Sequence, residues 1–210
     1  MLCKRRFRII ILSVLAFILL YSITYTLHSM VSHVAARSTN LFSNLFEKIL
    51  NKKATALNNL GKYNESLIYS ARALAIDPNN VDALSSTGIA LDHLGNYTGA
   101  IEYYDKALAL DPKYVPALNN KGVVLRGLGN YTGAIEYYDK ALAIQSNDTY
   151  ALTNKGTALE HLGNYTGAIE YYDKALAINP KHKAALDNKA ILEEYLGGLK
   201  NKLAKYLKNI

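Results

Sequence analysis

A single cysteine, no tryptophan, four prolines and no acidic residue before position 47 mark this 210-residue chain. The lone Cys3 cannot close an intramolecular disulfide or build a thiolate zinc cage, so packing must supply the stability. Four prolines among 13 glycines rule out a collagen-like or linker-dominated chain, and a composition 50% hydrophobic and 20% charged is that of a globular one. The length leaves room for one domain, or a short run of repeats behind a targeting segment, but not for a large multidomain enzyme. The formal charge of +7 is uneven: residues 1–46 carry +5, residues 47–182 carry 13 basic and 14 acidic side chains, and residues 183–210 carry +3. A basic pI made at the two ends, over a neutral centre, argues against a groove for nucleic acid, which needs a cationic stripe across the folded body.

Lys4, Arg5, Arg6 and Arg8 precede 9–27, a run of 19 residues without charge in which Tyr21 and Tyr25 lie near the far end. A transmembrane helix needs about 20 mostly apolar residues, and interfacial tyrosines suit its end. The excess of cations before the run, with only Arg37 soon after it, places the N-terminus in the cytoplasm and the remainder outside. A cleaved signal peptide is the competing reading, with small residues at Val34-Ala35-Ala36, although a secretory core usually has about 7–15 apolar residues. A buried core helix fits less well because the run is apolar on every face. Cys3, beside the cations, is a candidate for acylation or an idle thiol.

Self-comparison reveals the architecture. Residues 94–109, 128–143 and 162–177 each read LGNYTGAIEYYDKALA, a looser copy occupies 60–75, and the offset is 34 residues throughout. Such a period signals stacked supersecondary units. Within a unit, Ala83, Leu84, Ile89, Ala90, Leu91 and Leu94 fall on one helical face, and Ala100, Ile101, Tyr104, Ala107 and Leu108 on another. Gly95-Asn96 separates two short helices, Thr98 is a candidate N-cap for the second, and Asp111-Pro112 and Asn179-Pro180 end it. Thirteen of the 17 tyrosines fall in 47–182 at fixed slots, a placement that reads chiefly as core and spacer.

The period and these residues resemble the tetratricopeptide repeat (TPR), a helix-turn-helix solenoid unit. The pattern's aromatic slot is Leu84, Leu118 and Leu152; its small residue is Gly88, Gly122 and Gly156; its later alanine is Ala100, Ala134 and Ala168; its ring is Tyr104, Tyr138 and Tyr172; its proline is Pro78, Pro112 and Pro180. Departures are Ser146 for the third proline, and Ala54 and Ser70 in the first unit, which reads as an atypical end. The expected fold class is all-α: a TPR solenoid preceded by one transmembrane helix. Its boundaries are a cytoplasmic basic segment 1–8, the span 9–27, a juxtamembrane linker and lead-in helix 28–46, four units 47–80, 81–114, 115–148 and 149–182, and an incomplete fifth unit with capping helices at 183–210.

The resemblance implies that the first helices line a concave face gripping an extended peptide. The near-identical units vary there, which assigns partner binding to Asp82, Ser85, Ser86, Asp92 and His93; to Asn119, Asn120, Val123 and Arg126; and to Tyr150, Thr153, Asn154, Thr157, Glu160 and His161. Asn120 and Asn154 match the asparagine that in such repeats often bonds a ligand backbone, and a carboxamide both donates and accepts. The alternative is a merely solvated helix face. The family's clamp for acidic C-terminal tails keeps only asparagine here, beside Ser85, Ile89 and Tyr150, so no preference for such tails is expected. His93 and His161 lie two units apart, too far to share a metal. No nucleophile-base pairing, HExxH or phosphate loop is present, so neither catalysis, metal nor cofactor is expected.

Five sequons, at Asn64, Asn96, Asn130, Asn147 and Asn164, are possible glycosylation sites assigned to turns, three of them at the repeat period. The competing explanation is that Asn suits the turn and threonine caps the next helix. At the C-terminus Leu199, Leu203, Leu207 and Ile210 form a stripe against Lys200, Lys202, Lys205 and Lys208, which either caps the last unit or meets an anionic bilayer. The overall expectation is a single-pass, membrane-anchored, non-catalytic interaction module whose groove binds a protein or peptide. The alternative is a self-assembling homo-oligomeric envelope scaffold, because open solenoid ends can stack between chains.

Overall fold

The computed structural model describes the backbone of residues 2–208 and the side chains of Phe17 and residues 19–208. The described residues form nine helices: α1 Leu2–Asn59, α2 Tyr63–Ile76, α3 Val81–His93, α4 Tyr97–Leu110, α5 Val115–Gly127, α6 Tyr131–Ile144, α7 Thr149–His161, α8 Tyr165–Ile178 and α9 Lys183–Leu207. They divide into two compact units, Met1–Ile49 and Leu50–Ile210.

The first unit is the N-terminal part of α1. The expected linker between a span and a lead-in helix is absent, because the helix is unbroken from Leu2. The physical reason is compositional: no glycine or proline occurs before Gly61, and nothing else in the segment forces a turn. The Ser and Thr side chains that suggested a linker satisfy themselves inside the helix. Ser32, Ser38 and Thr39 donate to the carbonyls of Ser29, Ala35 and Ala36 at 2.8–2.9 Å. Among the described residues no helix is long and apolar enough to cross a membrane. The side chains of 9–16 and Ile18 in the expected span lie outside the described residues, as do those of Cys3, Lys4, Arg5, Arg6 and Arg8.

In the second unit each 34-residue block is a helical hairpin. Gly95, Gly129 and Gly163 end the first helices at φ of 82, 80 and 77°, left-handed values that side chains with a Cβ rarely adopt. The N-cap of the second helix is Asn96, Asn130 or Asn164 rather than the expected threonine: each Oδ1 accepts from the N–H of Gly99, Gly133 or Gly167 at 3.0 Å. That oxygen sits three residues before the amide it caps, the spacing of a free first-turn N–H. Asp111 and Asn179, both before proline, end the second helices in extended backbone. Gln145 takes nearly the same conformation before Ser146, so the turn survives without its proline.

Between the two helices of a unit, the buried rings of Tyr104, Tyr138 and Tyr172 lie over Gly88, Gly122 and Gly156, where an added Cβ would stand 2.5–2.6 Å from the ring. The repeat at 47–80 has a polar solution instead: Ser66 Oγ donates to Ala54 O at 3.0 Å within it, and Ser70 Oγ accepts from Thr87 Oγ1 of the next repeat at 2.9 Å, all in buried positions. The expected fifth unit with capping helices is instead one helix, α9, which passes through Gly197-Gly198. Each glycine weakens a helix by about 1 kcal/mol relative to alanine but does not impose a turn, and neither has a positive φ. Only the first half of α9 caps the stack, with Ala185 and Leu192 buried and Leu196 packed beside Tyr172.

Candidate partner-binding groove

Stacking the hairpins gives the first and second helices different neighbours. α3 touches α5, α5 touches α7 and α7 touches α9, whereas no two of α2, α4, α6 and α8 touch one another. In a curved stack the helices that approach each other lie on the inner side, so the inner wall is made by the first helices. This is the wall on which sequence variation is concentrated.

The junctions along it are polar and directional. Asn58 Nδ2 donates to Ser86 O at 2.9 Å, Asn119 Nδ2 to Asp148 Oδ2 at 2.6 Å and Asn188 Nδ2 to Thr157 Oγ1 at 3.1 Å. Tyr114 donates to Asp82 Oδ1 at 2.6 Å. These bonds employ Asp82, Ser86, Asn119 and Thr157, four of the residues assigned to a partner, in holding neighbouring helices together. Ser85, Ser86 and Thr153 are buried, and the Thr153 hydroxyl donates to Thr149 O of its own helix at 2.7 Å. Val123 packs against the Tyr138 cluster.

The two histidines stand on the edge formed by the ends of the first helices. His93 stacks on Tyr63 with centroids 4.3 Å apart, and His161 on Tyr131 at 4.7 Å. Tyr195 meets Tyr165 edge-on at 5.9 Å in the equivalent place. The fourth slot holds Gly127, with nothing within 4 Å of where a Cβ would be, and Tyr97 is left without a stacked ring. Each pair joins one unit's first helix to the preceding unit's second helix, a bridging role more than a ligand-binding one. Glu160, His161, Tyr165, Ile191, Leu192 and Tyr195 line a cleft of about 380 Å³ at that edge.

What remains free on the inner wall is narrower than the sequence suggested. Asn120 and Asn154, half-buried at equivalent positions of α5 and α7, make no hydrogen bond among the described residues. Tyr150 is 70% exposed and meets the His182 ring in a T-shaped pair at 5.0 Å. Asp92, Arg126 and Glu160 recur one unit apart. Burial raises the Asp92 carboxyl above its ordinary value against the pull of His93. Burial also pushes Tyr138 up to about 12 against the Arg126 cation. Tyr172, whose hydroxyl donates to Glu160 Oε2 at 2.8 Å, is raised to about 12, first by burial.

Two features were missed by reading the sequence. Asn188 of α9 continues the row of Asn120 and Asn154. A repeated clamp also ties α4 to α5, α6 to α7 and α8 to α9: Lys121 pairs with Asp105, Lys155 with Asp139 and Lys189 with Asp173. Lys121 and Lys155 lie over the rings of Tyr137 and Tyr171 at 4.5 and 4.3 Å. Burial opposes their charge, but the carboxylates and phenols outweigh it and hold both above the ordinary lysine value. The signal was present, since the three lysines and three aspartates each recur every 34 residues and stand 16 apart. Among the described residues no group of three His, Cys, Asp or Glu could hold a metal ion.

Models of the tetratricopeptide repeat match residues 47–80, 81–114, 107–149 and 119–183. Residues 47–183 are tetratricopeptide repeats. No curated protein matches the sequence. Among solved structures, a crystal structure of MamA is 25% identical, with 74% of this chain and 90% of that chain covered at a TM-score of 0.59. MamA 41-end from Desulfovibrio magneticus RS-1 is 24% identical over 78% and 92% at 0.62. Pseudomonas aeruginosa pilF is 22% identical over 74% and 71% at 0.69. The last two likenesses are of fold. The repeats are a protein-protein interaction module, and no enzyme family is indicated.

Proposed function

We propose that this chain is a membrane-anchored, non-catalytic module that holds an extended peptide or protein segment against the inner wall of its repeats. The observation that carries the groove reading is the pair Asn120 and Asn154: equivalent, half-buried and without a hydrogen-bond partner among the described residues. Carboxamides so placed, one unit apart, can each accept an N–H and donate to a C=O of an extended backbone. Tyr150 and Arg126, on the same two helices, supply a ring and a cation for side-chain selection. The experiment is selection of displayed random peptides on the immobilised full chain, followed by affinity measurement on N120A/N154A. Two lost backbone-type bonds at about 1 kcal/mol each give a loss on the order of 10- to 100-fold; unchanged affinity would place the binding surface elsewhere.

Anchoring rests on the uncharged stretch 9–27 behind Lys4, Arg5, Arg6 and Arg8, with the N-terminus in the cytoplasm and the repeats outside. Protease added to intact cells should then remove the repeats, and full protection would refute this topology.

Self-assembly is a second reading with its own support. Leu186 of α9 is 44% exposed, whereas its equivalents Leu84, Leu118 and Leu152 are 2–4% exposed, because each of those is covered by its unit's second helix. An end so exposed can accept another chain. Light scattering that stays monomeric across working concentrations would remove this reading.

A further inference from the structure

Among the described residues the last three turns of α9 pack against no other helix. Beyond Leu196 the helix leaves the Tyr172 cluster, and every residue from Gly198 to Lys208 is exposed. Leu199, Leu203, Tyr206 and Leu207 are 43, 59, 66 and 61% exposed, far from the burial that a capping role requires. At about 100° per residue these four side chains occupy one arc roughly 100° wide. Lys202 borders the arc on one side and Lys200 on the other, with Lys205 and Lys208 behind. No acidic residue follows Glu194, and none of the four lysines is in an ion pair among the described residues.

We propose that this C-terminal segment, 199–208, is a docking surface for an anionic phospholipid bilayer. An apolar arc bordered by long cationic stems suits the acyl-headgroup boundary: leucines enter the hydrocarbon edge while the ammonium groups extend to the phosphates. Four lysines outside any ion pair among the described residues are attracted to an anionic leaflet. The same charges decide against a second copy as occupant, since two such faces would bring four cations against four. A nucleic-acid strand would leave the leucines unused. The surface is separate from the groove and is tested separately from it.

The test uses the full chain with C3S and L203C, labelled at position 203 with a polarity-sensitive fluorophore. It is mixed with neutral phosphatidylcholine vesicles, or with vesicles about one third phosphatidylglycerol. The expected result is a blue-shifted, brighter emission with the anionic vesicles alone, reversed by high salt and reduced at least about tenfold in apparent affinity by K200Q/K202Q/K205Q/K208Q. No change with either vesicle, an equal change with both, or indifference to the four glutamines would overturn the proposal. A concentration-dependent shift without vesicles would also overturn it, in favour of a second copy. The N-terminal stretch can bring the chain to both kinds of vesicle, but the probe reads only α9. Peptide capture by the groove does not depend on either outcome.

Discussion

Gly122→Ala is expected to loosen the stack at its centre. A Cβ on Gly122 would stand 2.5 Å from Cε1, 2.9 Å from Cδ1 and 3.0 Å from Cζ of Tyr138, whereas carbon atoms in contact prefer roughly 3.5–4.0 Å. The ring is fully buried, so it cannot swing aside, and the overlap of about 1 Å must be relieved by separating α5 from α6. Overpacking of this kind costs about 1–3 kcal/mol, and replacing a helical glycine by alanine returns just under about 1 kcal/mol. The expected balance is a net loss of up to about 2 kcal/mol. Urea unfolding of the full chain followed at 222 nm checks it, with Gly127→Ala as control. That helix-terminal position has nothing within 4 Å of the added carbon, so the control should be neutral or stabilised by up to about 0.5 kcal/mol. If Gly122→Ala unfolds at the same or higher urea than the parent, the close approach of ring and backbone is not what fixes the packing of a unit.

Gly127→His should fill the empty slot above Tyr97 in the manner of His93 on Tyr63, adding about 0.5–1 kcal/mol seen as a raised urea midpoint; the gain should vanish in Tyr97→Ala. A pH prediction follows from groups whose folded values lie above the unfolded ones: Tyr138 and Tyr172 at about 12, and Lys121 and Lys155 raised. Their contribution is complete below the unfolded values near about 10 and is lost as pH rises through the folded ones. The urea midpoint should therefore fall between about pH 10 and 12. Tyr138→Phe should flatten part of that fall, and a midpoint indifferent to alkali would contradict the burial of these phenols.

The helical hairpins were legible because the signals are local and repeated. Glycine left-handed turns, the apolar spacing and the helix ends before proline all act within a few residues and recur every 34. Local signals misled where two of them competed. Thr98 and Asn96 are both good caps, and the oxygen three residues before the free amide prevailed. Gly197-Gly198 and the Ser/Thr of 28–40 suggested breaks, but glycine without a left-handed conformation and hydroxyls bonded to their own helix do not end one. For the candidate site, variation marks the first helices without telling which polar residues are already engaged by neighbours.

The sequence by itself determined the unit: its length, its two helices, the turn between them and the small residue under each ring. These follow from periodicity and backbone preference, which need no information from distant parts of the chain. Tertiary structure alone decided which side chains are spent. Asp82, Ser86, Asn119, Thr157, His93 and His161 bind adjacent helices across about 30 residues of sequence, while Asn120, Asn154 and the end of α9 are left without a partner among the described residues. The physical reason is that a partner's approach depends on the placement of one hairpin against the next, which preferences acting over a few residues do not encode.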